Sequence, residues 1–308
     1  MKTVSVVIPV YYNAESLPPL FAELQEVERQ LHERDCNMEL VFVDDGSGDE
    51  SLIELMKIKQ QRPDTRVVKL TRNFGSVNSL KVGLKYVTGD CTMWLSADLQ
   101  DPPGLVTEMT DQWLAGPKLV NAVRESRVDP PLTRLFAAIY YWLVRRMVSK
   151  DYPKGGIDIM LMDAALVPHV RDSSKNMDTR LLAHWLGYKA ASIPYTRRKR
   201  EYGKSRWTFA KKLTYFIDSL FGFSVLPIRI ISLIGFIVSL LSFAYGAVIV
   251  AAAIFGYRGE VAGFPTLAAL ITFLLGVVIM TLGIIGEYIW RIFDEVTTRP
   301  EAVVDEVY

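Results

Sequence analysis

Two long stretches without a charged residue constrain the fold of this chain more than any other feature. Ile230–Phe255 spans 26 residues and Phe264–Gly286 spans 23, and neither contains Asp, Glu, Lys or Arg. At a rise of about 1.5 Å per residue, a helix of either length can cross a hydrocarbon layer of about 30 Å. We therefore predict a hairpin of two transmembrane helices, at 229–255 and 264–289, rather than two buried helices of a soluble core.

Basic residues that precede the first apolar stretch predict its orientation. They are Arg197, Arg198, Lys199, Arg200, Lys204, Arg206, Lys211 and Lys212. Because basic segments stay on the cytoplasmic side, we expect a cytoplasmic domain at 1–206, a cytoplasmic tail at 291–308 and a location in the inner membrane. The aromatic segments 133–148 and 207–225 are typical of helices at the membrane interface, although 133–148 also fits a core helix. The small residues Gly235, Ser239 and Ser242 predict close helix packing, within one chain or in a homo-oligomer such as a tetramer.

The first 206 residues alternate between strand patterns and helix patterns. The predicted strands are Val4–Val10, Glu39–Asp44, Arg66–Leu70, Thr92–Leu95 and Lys118–Val123. The predicted helices between them are Ser16–Arg34, a helix capped by Asp49 that runs to Gln61, Ser76–Tyr86 and Pro103–Leu114. This order predicts an α/β domain with a mainly parallel, Rossmann-like sheet and helices on both faces. Polar residues follow all five strands, so the carboxyl edge of the sheet is the predicted ligand site, with five ordinary turns as the alternative.

Composition and motifs exclude several classes of ligand. A net charge of +1 argues against a nucleic-acid partner, and the two cysteines and three histidines show no metal-binding spacing. The glycine-rich signatures of dinucleotide sites and P-loops are absent from the sequence. Asp98 and Gln100 offer hard oxygen ligands for a divalent cation that would also bind diphosphate oxygens. The spacing alone is a weak signal because Asp-x-Gln is common.

Four ordered motifs resemble those of glycosyltransferase family 2. They are Val7-Ile8-Pro9-Val10-Tyr11, Val43-Asp44-Asp45-Gly46-Ser47, Arg72-Asn73-Phe74-Gly75 and Ala97-Asp98-Leu99-Gln100-Asp101-Pro102-Pro103. With the two apolar stretches, they are similar to the polyprenyl-phosphate branch of that family, which includes dolichol-phosphate mannosyltransferases and undecaprenyl-phosphate glucosyltransferases. The resemblance implies a GT-A fold, a UDP-sugar donor, Mg²⁺ or Mn²⁺ as cofactor, and a polyprenyl-phosphate acceptor in the lipid bilayer, such as undecaprenyl phosphate.

The resemblance also assigns roles to residues on the donor side. The implied nucleotide-sugar residues are Pro9, Tyr11, Asn13, Asp44, Asn73, Ser96, Ala97 and Asp98, and the implied metal ligands are Asp98 and Gln100. Ser96 departs from the family pattern, because many relatives have an acid at this position. Either Asp101 compensates for the missing charge, or Asp101 caps the helix that begins near Pro102-Pro103.

On the acceptor side, the resemblance implies a set of residues that bind the lipid phosphate. They are Arg124, Arg127, Arg134, Arg200, Ser205 and Arg206. Arginine suits a phosphate because its guanidinium group donates two parallel hydrogen bonds. The alternative for the segment around Arg200 is a solvated basic run.

Asp98, Asp158 and Arg124 are the predicted catalytic residues of a single inverting displacement. Asp158 has three possible roles: it orients a substrate, acts as a base, or is a plain turn residue. A phosphate monoester is already anionic near neutral pH, so it hardly needs a base. Transfer of glucose from UDP-glucose is the expected activity, with galactose, N-acetylhexosamine, mannose and aminoarabinose as alternative sugars. A processive polysaccharide synthase lacks support because the Q-x-x-R-W motif is absent, and a non-enzymatic membrane scaffold is favoured only by Ser96.

Overall fold

The computed structural model describes residues 1–125, 138, 140–146, 148–153, 155–174, 177–199, 226–255, 264–297 and 299–308. The chain divides into two compact units. The first contains Met1–Gly222 together with Pro300–Tyr308, and the second contains Phe223–Arg299. The C-terminal residues therefore belong to the first unit, which was predicted to end near residue 206.

One sheet of eight strands, in the order β7-β5-β6-β4-β1-β2-β3-β8, forms the centre of the first unit. The strands are β1 Lys2–Val10, β2 Cys36–Asp44, β3 Arg66–Leu70, β4 Cys91–Trp94, β5 Leu119–Arg124, β6 Ile159–Asp163, β7 Ala190–Tyr195 and β8 Val304–Val307. The helices of this unit are α1 Leu17–His32, α2 Ser51–Gln61, α3 Ser76–Gly83, α4 Leu105–Leu114, α5 Val167–Arg171 and α6 Thr179–Trp185, and residues 140–146 are also helical.

The sheet is mainly parallel, as predicted. β1 pairs in parallel with β2 and β4, β2 with β3, and β5 with β7. β6 runs antiparallel between β4 and β5, and β8 runs antiparallel to β3. Helices cover both faces of a parallel sheet, so its central strands are apolar on both sides, and Val4, Val6, Val7 and Ile8 of β1 are fully buried.

The helix starts differ from the predicted caps. Glu50, and not Asp49, occupies the N-cap of α2, although Asp49 Oδ1 accepts a hydrogen bond from the Ser51 amide at 3.1 Å. Gly104 occupies the N-cap of α4, so the predicted capping role of Asp101 is wrong. Asp49 forms a turn before α2 begins, whereas the Asp101 side chain contacts Ser96 and Tyr195 instead.

The C-terminal segment joins the first unit through the sheet and through one buried ion pair. β8 pairs with β3, with Val68 opposite Val307. Lys81 in α3 is fully buried, and its Nζ lies 3.1 Å from Glu301 Oε1. The same ammonium group donates to the backbone carbonyls of Ser173 and Ser174 at 3.0 and 2.8 Å.

Two long helices, α7 Leu226–Ile254 and α8 Phe264–Val296, cover both uncharged stretches in the second unit. α8 continues beyond the predicted end at residue 289. Within the described residues, one segment, the 24-residue Phe273–Val296, is long and apolar enough to cross a membrane. The membrane hairpin and its orientation stay predictions. All of the predicted interfacial helix 207–225, and residues 133–137, 139 and 147 of the one at 133–148, lie outside the described residues, while 140–146 are helical.

Candidate active site

Polar side chains from seven strands meet at one edge of the sheet. The carboxyl ends of the parallel strands β1 to β5 and β7 lie at this edge. Because β6 is antiparallel, its amino end lies there too, and Asp158 directly precedes it. The edge has two halves, which we name after the roles that the motifs predict: the nucleotide half, after β1, β2 and β3, and the transfer half, around β4, β5, β6 and β7.

A tight turn follows β1 in the nucleotide half. The Tyr11 amide donates to Asn13 Oδ1 at 2.9 Å, and the Asn13 amide donates to Ser51 Oγ at 2.8 Å. Tyr12 has a positive φ of 57°, and the rings of Tyr11 and Tyr12 meet edge to face with centroids 4.8 Å apart. Pro9 pairs with Val43 of β2 just below this turn. Side chains of the protein accept the hydrogen bonds of these amides, and the exposed ring of Tyr12 gives the turn an aromatic surface.

Two buried aspartates form the end of β2. Asp44 Oδ1 accepts from the Ser47 amide at 3.1 Å. The Asp45 carboxylate accepts from the amides of Phe74 and Gly75 at 2.7 and 2.9 Å, which ties the loop after β3 to the end of β2. Burial raises the pKa of both carboxyl groups, while these hydrogen bonds oppose the increase.

Gly46 allows these two loops to approach each other. It has a φ of 67°, and a Cβ atom placed on it would lie 2.5 Å from the Arg72 carbonyl carbon. Only glycine tolerates both the left-handed conformation and the close backbone contact. The loop after β3 then exposes Asn73 at the site.

A strained turn after β4 connects the two halves. The Ser16 hydroxyl donates to the Ala97 carbonyl at 2.7 Å, which fixes the turn to the start of α1. Leu99 has a positive φ of 58°, unusual for a branched side chain, and it separates Asp98 from Gln100. Both flanking side chains are partly exposed, and Asp98 Oδ1 accepts from the Gln100 amide at 3.2 Å.

The donor set of this turn fits a hard divalent cation. Asp98 supplies a carboxylate and Gln100 supplies an amide oxygen, both of the type that Mg²⁺ and Mn²⁺ prefer. No group of three or more His, Cys, Asp or Glu side chains suited to a metal occurs among the described residues. A cation here would therefore take its remaining ligands from substrate oxygens and water.

Asp101 is buried beside Ser96 in the transfer half. Ser96 Oγ donates to Asp101 Oδ2 at 2.6 Å, and the Tyr195 hydroxyl lies 3.0 Å from Asp101 Oδ1. Arg197 Nε lies 3.4 Å from the same oxygen in an ion pair. A carboxylate thus lies next to the position where the family pattern has an acid, but both of its oxygens have partners.

Asp158 is held by partners on three strands, β4, β5 and β7. Arg124 Nη2 donates to Asp158 Oδ1 at 2.9 Å, and Arg124 Nε pairs with Oδ2. The Tyr195 hydroxyl lies 3.2 Å from Oδ2, and Trp94 Nε1 donates to the Asp158 carbonyl at 3.3 Å. Burial lowers the pKa of Arg124, but the charge and hydrogen bond of Asp158 together with Tyr195 outweigh burial, so the net shift is upward.

The loop before Asp158 is fixed from two further sides. Gly156 has a φ of 76°, and a Cβ atom on it would collide with the Tyr141 hydroxyl. Arg180 Nη1 donates to the Ile157 carbonyl at 3.1 Å. The helical residues 140–146 therefore pack against the loop that positions Asp158.

The structure brings together most of the predicted site residues. Arg127, Arg134, Arg200, Ser205 and Arg206 lie outside the described residues, so their roles stay predictions. Sequence reasoning missed Tyr195 and Arg197 as members of the site. Their contacts join positions far apart in the sequence, and β7 was not predicted.

Comparison with known proteins agrees with this architecture. The family model "Glycosyl transferase family 2" matches residues 5–156. The chain is 34% identical over 306 residues to an uncharacterised glycosyltransferase of Synechocystis sp., covering 99% of this chain and 95% of the relative. It is 32% identical to the prophage-derived bactoprenol glucosyl transferase of Shigella flexneri, covering 98% and 97%.

A further relative is the undecaprenyl-phosphate 4-deoxy-4-formamido-L-arabinose transferase of Klebsiella pneumoniae. It is 30% identical over 314 residues, covering 100% of this chain and 94% of the relative. Matches of this length include the sheet, the site at its carboxyl edge and the apolar helices. The chain therefore belongs to glycosyltransferase family 2, and it is a glycosyltransferase with the GT-A-type α/β domain that its motifs predict.

Proposed function

We propose that this protein transfers glucose from UDP-glucose to a membrane polyprenyl phosphate such as undecaprenyl phosphate. The observation that carries the proposal is the full-length similarity to a bactoprenol glucosyl transferase, which extends through the C-terminal apolar helices. The relative with an arabinose-derived sugar supports the same acceptor class and makes the sugar the least constrained part of the proposal.

The nucleotide half supplies the donor site in this proposal. The Tyr11 and Tyr12 rings offer stacking surface for a base. The buried Asp44 carboxylate offers a hydrogen-bond acceptor for an N–H group of the base or a hydroxyl group of the ribose. Asp98 and Gln100 would hold Mg²⁺ or Mn²⁺, which when bound would neutralise the diphosphate leaving group.

The transfer half supplies the acceptor site. Arg124 carries a positive charge into a partly buried edge, where Asp158 pairs with its Nη2 and Nε atoms. In this proposal the guanidinium group, held by Asp158, binds one oxygen of the lipid phosphate. The acceptor oxygen is already anionic, so Asp158 orients Arg124 and does not act as a base in this mechanism.

The second unit supplies the contact with the bilayer. Its helices expose large apolar side chains, including Phe236, Leu240 and Ile279 at 66%, 60% and 68%. Such surfaces are costly in water and favourable in lipid. We propose that α7 and α8 both cross the inner membrane, since an even number of crossings returns the chain to the side on which β8 joins the sheet.

The test is transfer by the full-length protein in lipid nanodiscs that contain undecaprenyl phosphate. UDP-glucose, UDP-galactose, a UDP-N-acetylhexosamine, GDP-mannose and UDP-4-formamido-arabinose are compared, with Mg²⁺, with Mn²⁺ and with EDTA. We expect a glucosylated lipid with inverted anomeric configuration from UDP-glucose. Transfer of another sugar would correct the donor, and a folded protein that modifies no lipid phosphate with any donor would refute the proposal.

A further inference from the structure

Tyr195 links two carboxylates that belong to different parts of the site. This residue ends β7 and is 5% exposed. Its hydroxyl lies 3.0 Å from Asp101 Oδ1 and 3.2 Å from Asp158 Oδ2. Asp101 closes the turn that contains Asp98 and Gln100, whereas Asp158 holds Arg124. One hydroxyl group therefore joins the proposed metal turn to the proposed acceptor arginine.

The charge balance around this hydroxyl explains why the contact is a strong constraint. A phenol has one hydrogen to donate, so Asp101 and Asp158 share it. Arg197 pairs with the same Asp101 oxygen that Tyr195 contacts, and Arg124 contacts both oxygens of Asp158, so each carboxylate has a cation beside it. Burial raises the pKa of Tyr195, and the charges of Asp101 and Asp158 raise it further, so the hydroxyl keeps its proton at neutral pH.

We infer that Tyr195 is a positioning residue for sugar transfer, which fixes Arg124 and Asp158 relative to the turn of Asp98 and Gln100. This inference rests on the proposed function. An in-line displacement needs the leaving diphosphate and the attacking phosphate at a defined separation, and small misplacements reduce the rate more than they reduce binding. A shared hydrogen bond between the two binding halves sets that separation.

The test compares Tyr195→Phe with Tyr188→Phe in the full-length protein in nanodiscs. Tyr188 is 37% exposed and precedes β7, so its variant controls for the loss of a tyrosine hydroxyl in the same region. We expect Tyr195→Phe to lower kcat about 10- to 100-fold, the effect of one hydrogen bond to a charged group. The KM for UDP-glucose and the Kd for UDP are expected to change less than about twofold, and Tyr188→Phe to match the wild type.

A second measurement separates positioning from general stability. In an Asp158→Asn background, Tyr195→Phe is expected to change kcat less than about twofold, because the bridge is already broken. If Tyr195→Phe lowers the Tm by more than about 5 °C, Asp101→Asn replaces it, since it weakens the same bridge from the other end. An unchanged kcat, a parallel loss of kcat and donor affinity, or additive effects with Asp158→Asn would each overturn the inference. Absence of lipid transfer by the wild type would instead refute the proposed function.

Discussion

The ion pair between Lys81 and Glu301 gives the sharpest stability prediction. Lys81 is fully buried, Glu301 is 20% exposed at its side chain, and their charged atoms are 3.1 Å apart. At an effective dielectric constant of about 20, Coulomb's law gives roughly 5 kcal/mol of attraction. The ammonium group keeps its two carbonyl partners when Glu301 is neutralised. We therefore expect Glu301→Gln to destabilise the first unit by about 3 kcal/mol, near the lower limit for breaking a buried pair.

The measurement is thermal unfolding of the full-length protein in detergent, followed by tryptophan fluorescence. For a unit of this size, about 3 kcal/mol corresponds to a fall in Tm of roughly 6–12 °C. Asp305→Asn is the matched control, because Asp305 lies on the same C-terminal segment as Glu301 and pairs with Lys69 of β3 at 2.6 Å. This pair is more exposed, with 41% of the Asp305 side chain and 31% of the Lys69 side chain accessible. We expect this exposed pair to change the Tm by less than about 2 °C.

A double variant tests whether the effect comes from the uncompensated charge. Lys81→Met in the Glu301→Gln background removes the buried cation and keeps an unbranched side chain of similar length. We expect it to recover part of the lost Tm, since the uncompensated charge is gone while the carbonyls of Ser173 and Ser174 lose their donor. The reasoning is wrong if Glu301→Gln shifts the Tm no more than Asp305→Asn does.

Three further predictions concern the site and the core. Gly46→Ala should lower the free energy of unfolding by at least about 2 kcal/mol and weaken UDP binding, because Gly46 has a φ of 67° and a Cβ atom there would collide with Arg72. Gly104 has a φ of −56° and open space around it, so Gly104→Ala should leave the Tm and the UDP titration unchanged. Burial lowers the pKa of His184 from 6.5 to about 4, so the unfolded chain binds more protons between these values, and stability should fall by up to about 3 kcal/mol from pH 6.5 to pH 4. Denaturant titration of wild type and His184→Gln checks this, and an equal pH dependence in both would contradict it. Asp98→Asn should reduce lipid glycosylation about 100-fold or more and abolish its sensitivity to EDTA, while Asp172→Asn, an exposed residue, should leave both unchanged.

Much of the first half of the fold could be predicted from local patterns. The predicted strands and helices from β1 to β5 lie within a few residues of those observed, because buried parallel strands are continuous apolar runs and α1 repeats its buried residues at helical spacing. The loops of the nucleotide half were also found, since each polar motif directly follows its strand. These features depend on neighbours in the sequence.

Three strands, β6, β7 and β8, were not predicted; β6 is an apolar run that was not assigned to a strand, whereas β7 and β8 have weak local signals. β7 is half exposed and contains Pro194, as suits an edge strand, and β8 is short with two acidic residues in the sequence Val-Asp-Glu-Val. Neither has the apolar run of a central strand. Tyr195 was missed with β7, because its two partners lie 94 and 37 residues away in the sequence.

The antiparallel direction of β6 explains why the role of Asp158 could not be decided from the sequence. In a parallel strand, the residue before the strand would lie at the opposite edge of the sheet, away from the site. Because β6 is reversed and Ile159 pairs with Ala122, Asp158 lies beside the last residues of β5, where Arg124 reaches its carboxylate. A shift of one residue in this register would turn every side chain of β6 to the other face. The ion pair between Asp158 and Arg124 is therefore a consequence of strand register, which the Gly-Gly-Ile-Asp sequence does not contain.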